Sequence, residues 1–591
     1  MTQYRSTHGG ILRATDIGTE VQLAGWVARR RDHGGVIFVD LRDASGKVQV
    51  VLNPENEPAS EETLRSLRNE YCIMVTGLVR ARPAENINPD LATGDIEVGV
   101  SELTVLSTAE VLPFQIDERF DADEARRLRY RYLDLRRERM ASNLKSRSTA
   151  IRSMRHVLDD LQFLEVETPT LVVSTPEGAR DMLVPSRLRP GQFYALPQSP
   201  QLFKQLLMVS GVERYYQIAR CYRDEDFRSD RQVEFTQLDL EGSFWDQDDV
   251  LETLEEIVVR VAKDVRDIDV PRPIPRMTYA DAMARYGTDK PDIRFGMEIT
   301  DLGEVFAASE FRAFAGAIAD GGAVRGINVG NQGLSRAGLD KLVSDAQDLG
   351  AKGLVWMIGE EDGSLRSPVA KFLSDEELNG VKDAMQVTAG DAVLIVADNV
   401  EVVSAVLGDL RLQMGRPDNH DELEFLFVVD FPVFEKTPDG GLAPAHHPFT
   451  APLSVDEMRN SPETAISRSY DLVLNGAELG SGSVRIHDPA LQSQVFEVLG
   501  ISAEEAEARF GWFLEALRYG TPPHAGFAIG VDRFVSILQN EQNIREVMPF
   551  PKTQTGADPL TGAPGMVEDA QLEELGIDVR PETRAAWAEN S

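Results

Sequence analysis

The segment that most constrains this chain is a charged run set between two apolar ones. It reads Arg220-Cys221-Tyr222-Arg223-Asp224-Glu225-Asp226, then Arg228, Arg231 and Gln232, then Glu234-Phe235-Thr236-Gln237-Leu238-Asp239. Apolar residues recur through Tyr215 to Ala219 before it and Leu238 to Phe244 after it. The flanks read as two strands, and the charged middle as the loop that joins them. Such a hairpin sets an arginine and a glutamate on rigid backbone beside a basic loop. Arginine offers a planar donor fork that matches a phosphate. On these residues alone, a salt-bridged surface hairpin is the competing reading.

Two further segments narrow the choice. Gly526-Phe527-Ala528-Ile529-Gly530-Val531-Asp532-Arg533-Phe534 reads as a strand, a glycine that lets backbone approach a ligand, and a helix opening near an arginine. Phe163-Leu164-Glu165-Val166-Glu167-Thr168-Pro169 closes an amphipathic helix. In chain order, with a large insertion before the last, the three segments resemble motifs 1, 2 and 3 of the class II aminoacyl-tRNA synthetases. Four more runs are similar to the bacterial aspartyl-tRNA synthetases: Thr175 to Asp181, Gln198 to Lys204, His446 to Thr450 and Gly482 to His487. The likeness weakens only after about residue 555.

The resemblance implies an enzyme that uses ATP to activate L-aspartate and passes it to the 3′ end of tRNA, with Mg2+ as the metal. It places Arg223 on the α-phosphate and the reacting carboxylate, and Arg533 at the γ-phosphate end. Asp224, Glu225, Gln232, Glu478, Gly530, Val531 and Asp532 join them as the ATP site. Asp471 and Glu478, seven residues apart around a strand-turn-strand, are the expected metal ligands. Glu177, Gln201, Lys204, Arg223, Asp239, His446 and Arg485 form the expected aspartate site. The residue types support aspartate independently. A buried side-chain carboxylate is costly unless cations pair with it, and Lys204 and Arg485 supply two. Glu177 and Asp239 are available for the substrate ammonium. No Ser-His-Asp or Cys-His nucleophile is needed. A non-catalytic RNA binder would lack one of these residues, and an amide-forming relative would not need the N-terminal barrel described next.

The fold class expected is multidomain α+β. Residues 1–107 read as five strands, Val21–Ala28, Val36–Arg42, Lys47–Leu52, Tyr71–Arg80 and Asp95–Leu106, with a helical insert near Glu61–Asn69. That order suggests an OB-fold barrel, which binds oligonucleotides on one face. Phe38 can stack a base, or it can be a core aromatic; the alternation leaves its face open. By resemblance this is the anticodon domain, with contacts at Arg31, Phe38, Gln49 and Glu97. His33 and Glu85 sit where relatives discriminate the aspartate from the asparagine tRNA. Histidine at position 33 implies charging of both, and a strict aspartate-tRNA enzyme is the alternative. Residues 108–140 read as a hinge. Residues 141–289 and 423–555 read as the two parts of a catalytic domain with an antiparallel sheet, interrupted by an inserted α+β domain at 290–422. Residues 556–591 read as an acidic tail. Motif 1 implies a homodimer.

The net charge of −36 argues at first against RNA. Local distribution answers this: Arg29-Arg30-Arg31 is basic, and 126–139 holds arginines at 126, 127, 129, 131, 136, 137 and 139. These form basic strips on an acidic body, or pair with their own acids such as Asp134 and Glu138. Cys72 and Cys221 make no metal-ligand spacing, so zinc is not expected. No apolar run approaches the roughly 18 residues of a membrane helix, and the start lacks the form of a secretory signal. A cytoplasmic enzyme is expected.

Overall fold

The computed structural model describes residues 2–56, 58–174, 179–419 and 421–584. The chain divides into two compact units, 1–141 and 142–591. In the first, strands β1 (Glu20–His33), β2 (Val36–Asp43), β3 (Gly46–Leu52), β4 (Cys72–Ala81) and β5 (Ile96–Ser107) close a barrel in the order β1-β2-β3-β5-β4. This is the OB-type barrel that the strand order suggested. The Gly34-Gly35 link between β1 and β2 has positive φ at both residues, 61° and 91°. Glycine takes such a pair of angles without strain. Ile37, Val39 and Leu41 point into the core with Val48 and Val50. By the period of two, Phe38 and Asp40 therefore face outward.

The arginine-rich stretch belongs to this unit and is largely internal. It forms two short helices, Glu124–Arg129 and Arg131–Asp134. The buried Asp134 carboxylate faces Arg127, Arg131 and Arg137, while Arg136 pairs with Glu70 at 2.9 Å. Arg127, Arg131, Arg136 and Arg137 are thus engaged by the protein itself, and the reading of this segment as a basic strip is corrected to that extent. Arg126, Arg129 and Arg139 are exposed.

The second unit is built on an eight-stranded sheet. Its strands are β6 (Leu164–Glu165), β7 (Arg214–Tyr222), β8 (Glu234–Ser243), β9 (Arg276–Thr278), β10 (Phe425–Val429), β11 (Ser469–Leu474), β12 (Ala477–Val484) and β13 (His524–Gly530). Their order is β9-β10-β11-β12-β13-β8-β7-β6, antiparallel except for the two edge pairs. Helix α1 (Glu138–Asp160) and helix α2 (Gln247–Arg266) bury Met154, Leu158, Leu254, Ile257 and Val261 in the core of this sheet. α2 begins at a reciprocal cap in which Asp246 and Asp249 each accept from the other's backbone N–H. The inserted residues carry their own five-stranded sheet, with Ala323–Asn328, Ala392–Asp398 and Val355–Gly359 at its centre. A helix over Arg312–Ala319 packs Phe314 inward there. No helix among the described residues is long and apolar enough to cross a membrane.

Candidate active site

The central strands of the large sheet floor a cavity of about 620 Å³. On β8 the odd residues Gln237 and Asp239 line it, and the even residues Leu238 and Leu240 pack into the core. Asp239 is followed on the same face by Glu241, fully buried. These two carboxylates meet two buried cations. Lys204, on the helix Gln201–Val209, reaches Asp239 Oδ1 at 2.7 Å and Glu241 Oε2 at 3.2 Å. Arg485, just past β12, grips both Glu241 oxygens, at 2.9 and 3.2 Å. The four side chains sum to zero charge. Lys204 and Arg485 are therefore not two bare cations, as the sequence alone suggested, but half of a neutral quartet. Glu241 was missed, although its signal was present: it sits two residues past Asp239 on a strand.

Burial pushes the Glu241 carboxyl up, but Arg485 and Lys204 outweigh it and hold it at about 2. Its contribution to stability is thus complete above the ordinary 4.5 and is lost as pH falls toward about 2. Glu241→Gln should cost about 3–5 kcal/mol in urea unfolding, because two buried cations would share one carboxylate. An unchanged midpoint would remove Glu241 as their counter-charge. Gly526 on β13 leaves room for this residue and for its strand: a Cβ there would lie 1.8 Å from Glu241 Oε2 and 2.3 Å from the Leu240 carbonyl oxygen. The glycine in motif 3 that has to be a glycine for this contact is thus Gly526. A Cβ at Gly530 meets nothing closer than 3.4 Å.

Two histidines flank the quartet. Arg485 donates to His447 Nε2 at 2.7 Å, which requires a neutral ring. Burial, then the Arg485 charge, depresses His447 far below the usual histidine range. His446, the histidine expected in the aspartate site, instead faces Asp471 Oδ1 at 3.2 Å. Both line the cavity.

Asp471 and Glu478 are brought to one face by a bulge. β11 turns into β12 at Asn475-Gly476, with φ of 51° and 81°, a two-residue hairpin turn. Glu478 and Ser481 are three apart and would face opposite ways on a regular strand. A register shift pairs Val473 with Glu478 but Leu472 with Gly480, which brings both to one face. The Ser481 hydroxyl lies 2.6 Å from Asp471 Oδ1 and 3.4 Å from Glu478 Oε1. Burial, then the like charge of Asp471, raises the Glu478 carboxyl. A pair of carboxylates pushed together in this way suits a divalent cation whose remaining ligands are water and phosphate oxygens.

The opposite wall carries the motif 2 residues. Arg223 stacks over the Phe235 ring at 5.2 Å. Arg231 pairs with Glu225 at 3.2 Å, and Arg180 with Asp224 at 3.6 Å. Arg533 donates to the Glu478 carbonyl at 2.6 Å and pairs with Asp230 at 3.1 Å. Gln232 accepts from Lys552 N–H at 3.0 Å, which turns its amide nitrogen away. Gln232 Nε2, Gln201 Nε2, Arg223 Nε, His446 Nδ1 and Asp239 Oδ2 are buried and unpaired among the described residues. Buried polar atoms of this kind cost free energy unless a ligand meets them. All five residues line the cavity. Asp532 also lines it, but Arg147 and the Thr236 N–H engage its two oxygens. Glu177 lies outside the described residues.

Two segments of this chain match known family models. Residues 123–554 match that of the tRNA synthetases class II (D, K and N), and residues 21–106 that of the OB-fold nucleic acid binding domain. The chain belongs to the class II tRNA synthetases. This synthetase is 52% identical over 592 residues to an aspartate–tRNA(Asp/Asn) ligase of Salinispora arenicola, covering 98% of this chain and 97% of that one. It is 50% identical over 582 residues to a ligase of the same name from Halothermothrix orenii, covering 97% and 98%. Its fold is similar to that of asparaginyl-tRNA synthetase from Pyrococcus horikoshii complexed with asparaginyl-adenylate, with a TM-score of 0.57, 19% identity and coverage of 93% and 98%. It is also similar to aspartyl tRNA synthetase from Entamoeba histolytica, at 0.56, 19%, 92% and 91%.

The barrel of this synthetase gathers most of the expected anticodon residues. Arg31 donates to Asp40 at 2.7 Å and to Gln49 at 3.2 Å, and Gln49 donates to Glu97 at 2.9 Å. Phe38 pairs across from Arg31. The exposed His33 ring meets Phe38 edge-on at 5.9 Å. Asp40 was not singled out from the sequence. Glu85 is exposed on a separate turn, Ala84–Asn86.

Proposed function

We propose that this synthetase activates L-aspartate with ATP and transfers it to both the aspartate and the asparagine tRNA, in the cytoplasm and as a homodimer. The observation that carries the choice of amino acid is the quartet of Lys204, Arg485, Asp239 and Glu241 at the cavity floor. Asp239 Oδ2 is the acceptor for the substrate ammonium. Lys204 and Arg485, held by Glu241, receive the side-chain carboxylate. An asparagine amide would turn N–H groups against these donors, and a lysine would bring a like charge; both leave buried groups unpaired.

In the first step an α-carboxylate oxygen of aspartate attacks the α-phosphorus of ATP. The bond to the bridging oxygen breaks and pyrophosphate leaves. Arg223 bears on the α-phosphate and the attacking carboxylate, and Phe235 offers a stacking face for the base. Gln232 and Glu225 contact the nucleotide, and Arg533 holds the far phosphate end. Catalysis of this kind rests on positioning and charge stabilisation. Asp471 and Glu478 would hold a magnesium ion, which when bound offsets phosphate charge. In the second step a terminal ribose hydroxyl of tRNA attacks the aspartyl carbonyl and AMP leaves.

The breadth of tRNA choice rests on His33. The two anticodons differ at the third base, cytosine against uracil, and a histidine ring edge can donate or accept. The names of the Salinispora and Halothermothrix relatives support this reading. Purified enzyme should charge both tRNAs at equal concentrations, and His33→Leu should reduce charging of the asparagine tRNA more. Charging of the aspartate tRNA alone would make the enzyme the strict type.

A further inference from the structure

One side chain that does not line the cavity fixes its nucleotide side. Arg147, on α1, donates to Asp532 Oδ1 and, at 2.9 Å, to Thr236 Oγ1. The second Asp532 oxygen accepts the Thr236 N–H at 2.7 Å, and Arg220 donates to Thr236 Oγ1 at 3.1 Å. The pair is sheltered: the Arg147 side chain keeps 14% of its exposure and Asp532 4%. Three segments far apart in sequence, one from each synthetase motif region, close on this ion pair. With both oxygens committed, Asp532 is an anchor rather than a ligand. Its neighbour is Arg533, and the neighbour of Thr236 is Phe235, which carries Arg223 on its ring. Thr236 points to the face of β8 opposite Phe235 and Gln237, so Arg147 acts from behind the sheet.

We infer that Arg147 is a positioning residue for ATP, locking the start of the motif 3 helix to the motif 2 strand and thereby setting Arg533 and Phe235 on the nucleotide. This rests on the reading of the cavity as an ATP site. The fork matters: a lysine reaches one partner as a point charge, whereas the guanidinium spans two. Loosening the anchor shifts Arg533 and Phe235 together, and a displacement near 1 Å costs about 10²-fold. The quartet that takes aspartate has its own ion pairs and shares none with Arg147.

The test is pyrophosphate exchange with the full chain, measuring KM for ATP and for aspartate separately in Arg147→Met, Arg147→Lys, Asp532→Asn and the Arg147→Met/Asp532→Asn double variant. The expected result is a fall of about 10–100-fold in kcat/KM for ATP in every variant. KM for aspartate should change several-fold less than KM for ATP, because the quartet is untouched and only Arg223, on the Phe235 ring, reaches the aspartate carboxylate. Lysine should not restore ATP use, and the double variant should be no worse than the worse single, since the two residues act as one unit. Wild-type ATP kinetics in folded Arg147→Lys would overturn the inference, as would equal changes in the ATP and aspartate KM. Should Arg147→Met fail to fold, Arg147→Lys decides alone. Wild-type enzyme inactive with aspartate would instead overturn the reading of the site itself.

Discussion

Arg223→Ala is expected to slow adenylate formation by about 10²–10³-fold while leaving the fold intact, the usual scale for losing one fixed donor aimed at developing charge. The side chain sits on the Phe235 ring at the cavity wall with its Nε unpaired among the described residues. Among the described residues the Arg223 side chain makes no ion pair, so its removal should leave the fold intact. Stopped-flow or exchange kinetics read the effect directly. A folded variant with near wild-type exchange would show that another group clamps the α-phosphate.

Lys204→Ala and Arg485→Leu should each weaken aspartate binding by about 2–5 kcal/mol, the range for truncating one partner of a buried charge pair. Their effects on ATP affinity should be small, because neither touches Arg223, Arg533, Asp471 or Glu478 in the structure. The neutral quartet adds a second consequence. Arg485→Leu leaves Glu241 with Lys204 alone, so that variant should also lose stability, as Glu241→Gln does from the opposite side. Unchanged aspartate KM in both variants would put the side-chain pocket elsewhere.

Much of this was legible in the sequence, for physical reasons that can be named. Strand alternation identified all five barrel strands, because one face of each must fill the core. β1 nevertheless runs five residues beyond the expected Ala28, to His33, since Arg29 to His33 pair with β2 by backbone and need no apolar face. The face of Phe38 could not be read from a run in which both phases are largely apolar; Ile37, Val39 and Leu41 decide it by packing. The nearness of Asp471 and Glu478 was legible as a spacing, but not the bulge that turns Glu478 to the face of Asp471. Glu241 was legible only by its phase, two residues past Asp239; by its type, a carboxylate inside a strand reads as solvated until a buried cation is known to face it. Arg126 to Arg139 misled in the opposite sense. Charge along a segment does not say which members point inward, and Asp134 takes three of them.

The central claim is that the cavity selects aspartate and joins it to AMP. ATP–pyrophosphate exchange by the purified enzyme, run in parallel with aspartate, asparagine and lysine, tests it most directly. The account predicts strong exchange with aspartate and little with the other two, because a side-chain carboxylate offers only acceptors to the donors Lys204 and Arg485, whereas an amide N–H or an ammonium would face them with donors of its own. Exchange driven as well by asparagine or lysine as by aspartate would contradict it.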